Sequence, residues 1–439
     1  MALKIIHIDE DAFSEIFGES VYPKQIIDSI IEDGKIPEKF WYWSQRSASL
    51  WKDLSSETGG GAHTLIDATK ELIKQKSGDI VREIFKNEKW KVASDMSYID
   101  LGAGDSEKEI EIIGALERQL SSNPMYYDPI KKRKLIRTLH VIPIDISLVL
   151  ITDARKPVKR SKIRIRYMPV LGYFEKIKEY IKRVPALHGM REDTLTQNPK
   201  LISFLGNTIG NIDNCEELLE EINSLMTPNG FILMDFDPAE IYYRGRNEKK
   251  DAGNLMWLEG EYGLDTKKQE IRNKTLKFVA EPLLHLVGEE YCNIENSIKI
   301  DSEIQKIELG SEMIETKRVV LTYEYKKEDR ENNVISKLIE MYEMEHQHSE
   351  DAIETFRNRE KIELAWSTKY PKKEFLAYLH SIFEEVENFE GEKGHVLCLM
   401  KKRVNKPPLD SIKDTPGSAD SSPRPAEIAS SSMGVGKKS

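Results

Sequence analysis

Two glycines follow a predicted strand and precede a predicted helix, a position that can bind a ligand. The segment reads Leu101-Gly102-Ala103-Gly104-Asp105. In open α/β folds, ligands bind at the carboxyl ends of the strands, where glycine lets the backbone approach a cofactor and the helix N-terminus contributes its dipole. A tight turn without a ligand would use the same residues, so the Gly-x-Gly spacing alone is a weak signal.

An acidic residue ends the second predicted strand. Asp145 follows Val141-Ile142-Pro143-Ile144, and a carboxylate at that end can accept hydrogen bonds from both ribose hydroxyls of a nucleoside. The alternative role is an N-cap for the following helix. Glu192 and Asp193 precede the strand that begins near Leu201 and could meet the exocyclic amine of an adenine, although acidic loop residues are often only solvated.

The spacing argues against a cofactor that binds through its phosphates. The chain contains no Gly-x-x-x-x-Gly-Lys-Ser/Thr, the motif of P-loop proteins. The dinucleotide fingerprint requires a third glycine, but Glu107 stands at that position, and its carboxylate would repel a pyrophosphate. These features favour a nucleoside cofactor without phosphates, such as S-adenosylmethionine (SAM).

The most specific segment of the chain follows a buried strand. It reads Phe204-Leu205-Gly206-Asn207-Thr208-Ile209-Gly210-Asn211-Ile212-Asp213. Two glycines and two asparagines at this point predict a loop with tight turns and outward-facing amide groups. We expect this loop to lie at the edge of the sheet that holds the reactive end of the cofactor.

Short apolar runs that alternate with helical segments must position these loops. The predicted strands are Ser97–Leu101, Leu139–Asp145, Ile163–Met168, Leu201–Leu205 and Gly230–Asp235. The predicted helices between them are Glu107–Leu116, Phe174–Ile181 and Glu216–Leu225. Such alternation predicts an α/β fold, with a mostly parallel, doubly wound sheet and helices on both faces.

Outside this region the pattern predicts further helices and fewer strands. Four helical segments precede the sheet, at Phe13–Phe17, Pro23–Ile31, Ser47–Leu54 and Leu65–Lys76. Residues 239–300 are interpreted as helical and charged, two β runs follow at Ser297–Leu309 and Lys317–Tyr325, and an acidic helix begins at Val334. A helix at Pro371–Phe383 and a buried strand at Gly394–Met400 would complete the sheet.

Three segments together resemble the histidine-specific SAM-dependent methyltransferase family. They are the 204–213 loop, the run from Tyr98 to Lys108 that includes the glycines, and Pro143-Ile144-Asp145-Ile146-Ser147. The resemblance extends from about Pro37 to Lys402 and implies a Rossmann-like methyltransferase sheet with SAM as the cofactor. By the same resemblance, the cofactor would be held by Gly102, Ala103, Gly104, Lys108, Asp145 and Asp193.

The resemblance also implies roles on the acceptor side. Asn211 would be catalytic by binding the amine or carboxylate of an amino acid, and Ser367 would line the pocket for its side chain. The reaction would be N-methylation of an amino acid or a related small amine. The amine must lose its proton before it attacks, and bulk water or a pocket tyrosine such as Tyr243 are equally open as the base.

The sequence departs from the family on the acceptor side. The family's Glu-Tyr-Tyr-Pro-Thr-Arg stretch is replaced by residues 57–64, which read Glu-Thr-Gly-Gly-Gly-Ala-His-Thr. The family's glutamate two residues before the serine aligns with Ala365, although a shift of two residues would bring Glu363 to that position. We therefore expect that free histidine is not the preferred acceptor.

The resemblance and the composition together predict five segments. Residues 1–61 and 239–368 would form a discontinuous α+β substrate domain, residues 62–238 the SAM-binding domain, and residues 369–404 the completion of its sheet. Residues 405–439 are dominated by Pro, Ser, Gly, Ala and Lys and are predicted to form a disordered tail. An aromatic cluster, Phe40 to Trp43 with Trp51, would either pack in the core or line a pocket.

Composition excludes several classes of protein. The net charge of −10 has the wrong sign for a broad nucleic-acid surface, so the basic runs at 131–134 and 155–166 are interpreted as charged surface. Three distant cysteines support neither a disulfide framework nor a thiolate zinc site, and His346-x-His348 is interpreted as a solvated helix face, so no metal is expected. Without an 18-residue apolar stretch or a signal sequence, we expect a cytoplasmic monomer that acts on a small molecule and not at a membrane.

Two rival functions remain open at this point. The same fold could methylate a protein or a nucleic acid, which the basic runs allow, or it could serve as a cofactor-binding module without activity.

Overall fold

The computed structural model of the 439-residue chain describes most of the predicted folded region. The described residues are 7–8, 21–42, 44–56, 63–104, 106, 108–128, 132–153, 162–243, 259, 262, 264, 269–325, 334–346, 350–391 and 394–403. The predicted helix Phe13–Phe17 and the predicted tail 405–439 lie outside them.

Fourteen strands are present in the described part of the chain. They are β1 His7–Ile8, β2 Asp95–Leu101, β3 Met125–Asp128, β4 Arg133–Ile136, β5 Thr138–Asp145, β6 Arg164–Tyr167, β7 Val170–Leu171, β8 Lys200–Phe204, β9 Phe231–Phe236, β10 Ile298–Leu309, β11 Glu312–Glu324, β12 Lys361–Lys369, β13 Phe383–Glu390 and β14 Val396–Lys402. Nine of them form one sheet, β10–β12 form a second, antiparallel sheet, and β3 pairs with β4.

The nine-stranded sheet is parallel except at one edge. Its order is β1-β7-β5-β2-β8-β9-β14-β13, with β6 also paired to β5. Every pair from β1 to β9 is parallel, whereas β14 runs antiparallel to β9 and β13. The chain passes from β2 to β5 on one side and later crosses to β8 on the other, so the loops after β2 and β8 diverge at a switch point, where open α/β folds bind ligands.

Helices cover both faces of this sheet and build a second layer beside it. They are α1 Val21–Asp33, α2 Gln45–Ser56, α3 His63–Ile84, α4 Glu88–Val92, α5 Glu109–Ser121, α6 Leu148–Asp153, α7 Ile177–Leu187, α8 Thr194–Gln197, α9 Cys215–Leu225, α10 Gln269–Val287, α11 Ile294–Ser297, α12 Val334–Glu345, α13 Glu350–Asn358 and α14 Lys372–Ile382. None of the described helices is both long enough and apolar enough to cross a membrane.

Alternation along the central strands sends side chains to two separate cores. On β2, Tyr98 packs on one face with residues of α3 and α5, and Ile99 packs on the other face with residues of α7, α9 and α14. Successive strand residues point to opposite faces, so a strand such as β2, which is buried from Met96 to Leu101, has residues packed on both faces. The doubly wound α/β fold predicted from the sequence is confirmed.

A third core joins segments that are far apart in the sequence. It contains Ile26 to Leu54 from the N-terminal helices and, from the later part of the chain, residues of α10, α12, α13 and the sheet β10–β12. These segments fall in the two ranges predicted to form the substrate domain. The domain boundaries themselves stay a prediction.

The structure corrects several local expectations. In the described part of residues 239–300, the long helix is α10, and the segment ends in β10. Strand β12 was not predicted, although its buried Ile362, Leu364 and Trp366 alternate with less buried residues. Strand β13 carries four glutamates in eight residues, a poor strand composition, and forms because it pairs with the buried strand β14.

Candidate active site

The glycine turn after β2 has a backbone that glycine adopts most easily. Gly102 and Gly104 have φ values of 69° and 54°, in the left-handed region where a Cβ causes strain. The backbone N–H groups of Gly102 and Ala103 both donate to Ile144 O, at 3.0 and 3.2 Å. A Cβ on Gly104 would meet nothing within 4 Å, so this turn faces open space beside the end of β5.

Asp145 connects the glycine turn to the start of α6. Its side chain is buried, Oδ2 accepts from Gly104 N at 2.7 Å, and Oδ1 accepts from Ser147 N at 2.7 Å. The side chain that bonds to the first turn of α6 is Ser147, whose Oγ accepts from Leu150 N at 3.3 Å. Asp145 therefore acts one step before the cap, and its carboxylate lines the main cavity.

Lys108 ties the glycine turn to the loop after β8. Its Nζ donates to Leu205 O at 3.0 Å and lies 2.5 Å from where a Cβ of Gly206 would stand. Gly206 has a φ of 91°, so both the lysine and the backbone angle require glycine there. The two loops of the switch point are thus held together.

The two asparagines of the 204–213 loop have different positions. Asn207 is buried with a left-handed φ of 57°, its N–H donates to Asp235 Oδ1, and its Oδ1 accepts from Asp237 N, each at 3.0 Å. The 3-10 turn Thr208–Asn211 follows, and Asn211 at its end lines the main cavity. Asn207 fixes the loop, and Asn211 faces the open space.

A buried charged cluster supports this loop, because Asp235 and Asp237, which bond to Asn207, belong to it. His395 Nδ1 lies 2.6 Å from Asp237 Oδ1 and Nε2 lies 2.8 Å from Asp235 Oδ2, while Lys369 Nζ lies 3.3 Å from Asp237 Oδ2. Burial alone would lower the pKa of His395, but hydrogen bonds to the two aspartates raise it to about 10. Burial would raise the pKa of Asp237, yet Lys369 and His395 lower it to about 2. The cluster is therefore charged at neutral pH.

One cavity collects most of the predicted residues. Gly102, Ala103, Gly104, Lys108, Asp145 and Asn211 all line it. The cavity is also lined by apolar side chains of Ile146 and Leu150, which follow Asp145 in the sequence, and by the aromatic rings of Trp41, Tyr42, Trp51, Tyr173 and Phe174. Both interpretations of the aromatic cluster hold in part, since Phe40 is fully buried in the core; Trp43 lies outside the described residues.

Two residues predicted for the site do not line this cavity, and the side chain of a third is not described. Among the described residues, those that line this cavity do not include Asp193, which is paired with Arg191 at 2.5 Å, or Ser367, whose Oγ accepts from Asn207 Nδ2 at 3.1 Å. Tyr243 ends the 3-10 turn Ala239–Tyr243, and its side chain lies outside the described residues. The roles predicted for these residues stay predictions.

The residues around the family's missing glutamate lie at a bulge. The register between β11 and β12 shifts at Leu321 and Thr322, so that Ala365 and Glu363 pair with consecutive residues. Glu363 Oε2 lies 2.9 Å from Arg318 Nη2, and both side chains line a second, polar cleft.

The histidines of His346-x-His348 and the basic run 155–166 were considered for a metal site and for nucleic-acid binding, and each lies partly outside the described residues. His346 Nε2 lies 2.7 Å from Asp28 Oδ1, and His348 lies outside the described residues. In the described ranges, no group of three or more His, Cys, Asp or Glu side chains is arranged so that it could hold a metal ion. Most of the basic run 155–166 is also outside them.

Sequence reasoning missed Glu38, Glu175 and the charged cluster. Glu38 and Glu175 line the cavity from two separate elements, the 3-10 turns Glu38–Phe40 and Phe174–Lys176. Nothing in their local sequence marks them, because their role depends on which elements meet. The cluster had one local signal, the pair of aspartates in Asp235-Phe236-Asp237 at a strand end.

Several solved structures are similar to this chain at low identity. A SAM-dependent methyltransferase from Clostridium acetobutylicum is 12% identical, with 74% of this chain and 91% of that chain covered and a TM-score of 0.29. The CcbJ methyltransferase from Streptomyces caelestis is 9% identical, with coverages of 76% and 96% and a TM-score of 0.30. The plantazolicin methyltransferase BpumL in complex with S-adenosylhomocysteine (SAH) is 12% identical, with coverages of 90% and 100% and a TM-score of 0.28. Because these TM-scores are low, the fold is assigned from the strand order of the sheet and not from these structures.

A family comparison gives the stronger result. No curated protein matches the chain. Residues 24–251, just over half of the chain, match the family described as histidine-specific methyltransferase, SAM-dependent. The match includes the glycine turn, Asp145 and the 204–213 loop, and thereby supports the expectation of a SAM cofactor that the missing phosphate motifs had raised. The chain belongs to the histidine-specific, SAM-dependent methyltransferase family.

Proposed function

We propose that this chain transfers the methyl group of SAM to the amine of an amino acid or a related small molecule. The observation that carries the proposal is the shared cavity, in which Asn211 faces the same space as Gly104 and Asp145. A cofactor held by the glycine turn would lie next to the 204–213 loop, because Lys108 connects the two loops by its hydrogen bond to Leu205 O.

The residues on the cofactor side fit a nucleoside without phosphates. Asp145 places a carboxylate at the lining of the cavity, where it would meet the ribose hydroxyls, and Gly104 leaves room for a ligand against its backbone. Ile146 and Leu150 offer an apolar surface for a purine ring. SAM supplies a methyl group already activated by its sulfonium charge, so the protein contributes positioning and the exclusion of water.

The acceptor side suits an amine more than a carboxylate or a phosphate. Aromatic rings attract cations through their π faces. Glu38 and Glu175 line the same cavity as these rings and add carboxylate groups to it. Asn211 can accept from an N–H of the amine through its side-chain oxygen and thereby orient the lone pair.

A two-step experiment tests the proposal. Calorimetry measures SAM binding, and a radiolabelled-methyl screen over amino acids, small amines and a cell extract then identifies the acceptor. We expect label on the nitrogen of a small amine. Label on a protein or a nucleic acid alone would replace the proposed substrate class, and SAM binding without any transfer would indicate a binding module.

A further inference from the structure

Glu38 lies on the acceptor side of the cavity without an ion-pair partner. It opens the 3-10 turn after Pro37, and its half-buried side chain lines the cavity together with Asn211 and Ile212. Lys35 is the cation closest in sequence before it, but Lys35 Nζ bonds to Asp213 Oδ2 at 2.8 Å. Within the described ranges, the Glu38 carboxylate therefore forms no ion pair and faces the space in which an acceptor would lie.

Charged groups on three neighbouring elements face Glu38. They are Lys35 after α1, Glu175 on the turn Phe174–Lys176 and Asp213 after the turn Thr208–Asn211. Burial and the carboxylates of Asp213 and Glu175 raise the pKa of Glu38 to about 7, against the opposing effect of Lys35. Lys39 also lines the cavity, but its Nζ donates to Gln25 Oε1 at 3.0 Å.

We propose that Glu38 is the general base that takes the proton from the ammonium group of the acceptor. This inference rests on the proposed function and specifies its substrate class as a protonated amine, held between the carboxylate and the aromatic rings. Tyr42 lines the same cavity but is a poor alternative, because burial and the nearby Asp145 raise the pKa of its hydroxyl above the usual range. Glu38 is a catalytic residue in this scheme, and Glu175 tunes it.

Atoms and charges balance in each turnover. The ammonium passes one proton to the Glu38 carboxylate and becomes a neutral amine. The amine lone pair then forms the new C–N bond as the C–S bond of the sulfonium breaks, which leaves a neutral thioether and a methylated ammonium product. Because Glu38 is only half buried, its carboxyl can return the proton to water before the next methyl transfer.

The test replaces Glu38 by its isostere and follows pH. In Glu38→Gln we expect kcat/KM for the acceptor found in the screen to fall about 100-fold or more at neutral pH, the range for loss of a general base. The wild-type profile should show an inflection at a pH of about 7, below which Glu38 becomes protonated. This inflection should be absent in the variant, whose rate should follow only the ionisation of the acceptor amine. Glu179→Gln, an exposed change on α7, is the control for folding and should match the wild type.

A second readout does not depend on turnover. Tetramethylammonium chloride, a cation without a titratable proton, is titrated into the SAH-loaded protein and followed by NMR at pH 6 and pH 8. We expect wild-type binding to be about fivefold tighter at pH 8 because Glu38 is then ionised, and no such difference in Glu38→Gln. A wild-type protein that does not bind the cation, or binds it equally at both pH values, overturns the proposal. If the screen finds no acceptor but this titration succeeds, the proposed function fails while the charge assigned to Glu38 stands.

Discussion

The two sides of the cavity are built by different means. On the cofactor side, the glycine turn, Asp145 and Lys108 come from two adjacent loops. They are fixed by hydrogen bonds between a side chain and the backbone, each joining residues less than 100 apart in sequence. On the acceptor side, Glu38, Tyr173 and Asn211 come from three separate elements, and the loop that carries Asn211 is held by side chains of β9, β12 and the segment before β14. Short sequence motifs therefore predict the cofactor side, whereas the acceptor side is formed by residues that folding brings together from distant parts of the sequence.

This difference explains why the family motifs survive on one side and fail on the other. A backbone turn tolerates few substitutions, since Gly102 and Gly104 both have left-handed φ values. Side chains that line a pocket can be exchanged one at a time, because each contributes its contacts independently of the backbone turn. We infer that the cofactor is shared with the family and that the acceptor differs.

The largest expected effect concerns the charged cluster that supports the acceptor loop. In His395→Gln the carboxylates of Asp235 and Asp237 keep only Lys369 as a cation, and removing one partner of a buried ion pair costs about 3–5 kcal/mol of unfolding free energy. Urea denaturation at pH 7 measures this loss. His380→Gln, at a partly exposed ion pair, is the control and should change stability by less than about 1 kcal/mol.

The same pair of proteins should show a characteristic pH dependence. The folded pKa of His395, about 10, is above its unfolded value of about 6.5. Its proton therefore contributes full stability below the unfolded value, and the contribution is lost as the pH rises through the folded value. The difference in unfolding free energy between the wild type and His395→Gln should shrink from pH 7 to pH 10. A constant difference would mean that the imidazole is neutral in the fold.

The strands show how far a single sequence predicts the fold. Strands β2, β5, β8 and β9 are almost completely buried, contain short apolar runs and lie between helices, so their local pattern suffices. Strand β13 could not be found in this way, because its glutamates favour no strand and only pairing with β14 orders it. The bulge between β11 and β12 likewise depends on the partner strand.

The candidate site divides along the same line. Gly102, Gly104 and Asp145 could be named from spacing alone, and the structure brings them together with Asn211. Ser367 was assigned to the acceptor by resemblance, but its hydroxyl accepts from Asn207. Glu38 could not be named, since its partners Glu175 and Asp213 are more than 130 residues away in sequence.

A change on the cofactor side should weaken cofactor binding. Asp145→Ala removes the carboxylate that accepts from Gly104 N and Ser147 N and that we expect to accept from the ribose. We predict a loss of roughly 1–3 kcal/mol in SAM affinity, the range for hydrogen bonds to a charged group, measured by calorimetry. Asp301→Ala, on the exposed strand β10, should bind SAM like the wild type. Unchanged affinity in Asp145→Ala would move the cofactor site elsewhere.

A change on the acceptor side should separate transfer from cofactor binding. Asn211→Ala removes an amide that lines the cavity without a supporting contact to the glycine turn, so we expect kcat/KM to fall about tenfold, as for one hydrogen bond. SAM affinity, measured on the same preparation, should stay within about twofold. Asn296→Ala, exposed on α11, is the matched control. Equal losses in transfer and in affinity would assign Asn211 a structural role.

The last prediction concerns the choice of acceptor. We predict that free histidine is not preferred, because Ala365 offers no carboxylate and Glu363 is committed to Arg318 in a different cleft. A hydrogen bond to a charged partner contributes roughly 1.5–3 kcal/mol, about a tenfold to hundredfold difference in kcat/KM. In a competition assay with histidine, tryptophan, tyrosine and simple amines at equal concentration, histidine should therefore lag behind at least one other acceptor. Ala365→Glu should raise histidine turnover by only a few-fold, since nothing around it is arranged to orient the new carboxylate. Rapid methylation of histidine ahead of all competitors by the wild-type protein would show that the acceptor side has kept the family's specificity by other residues.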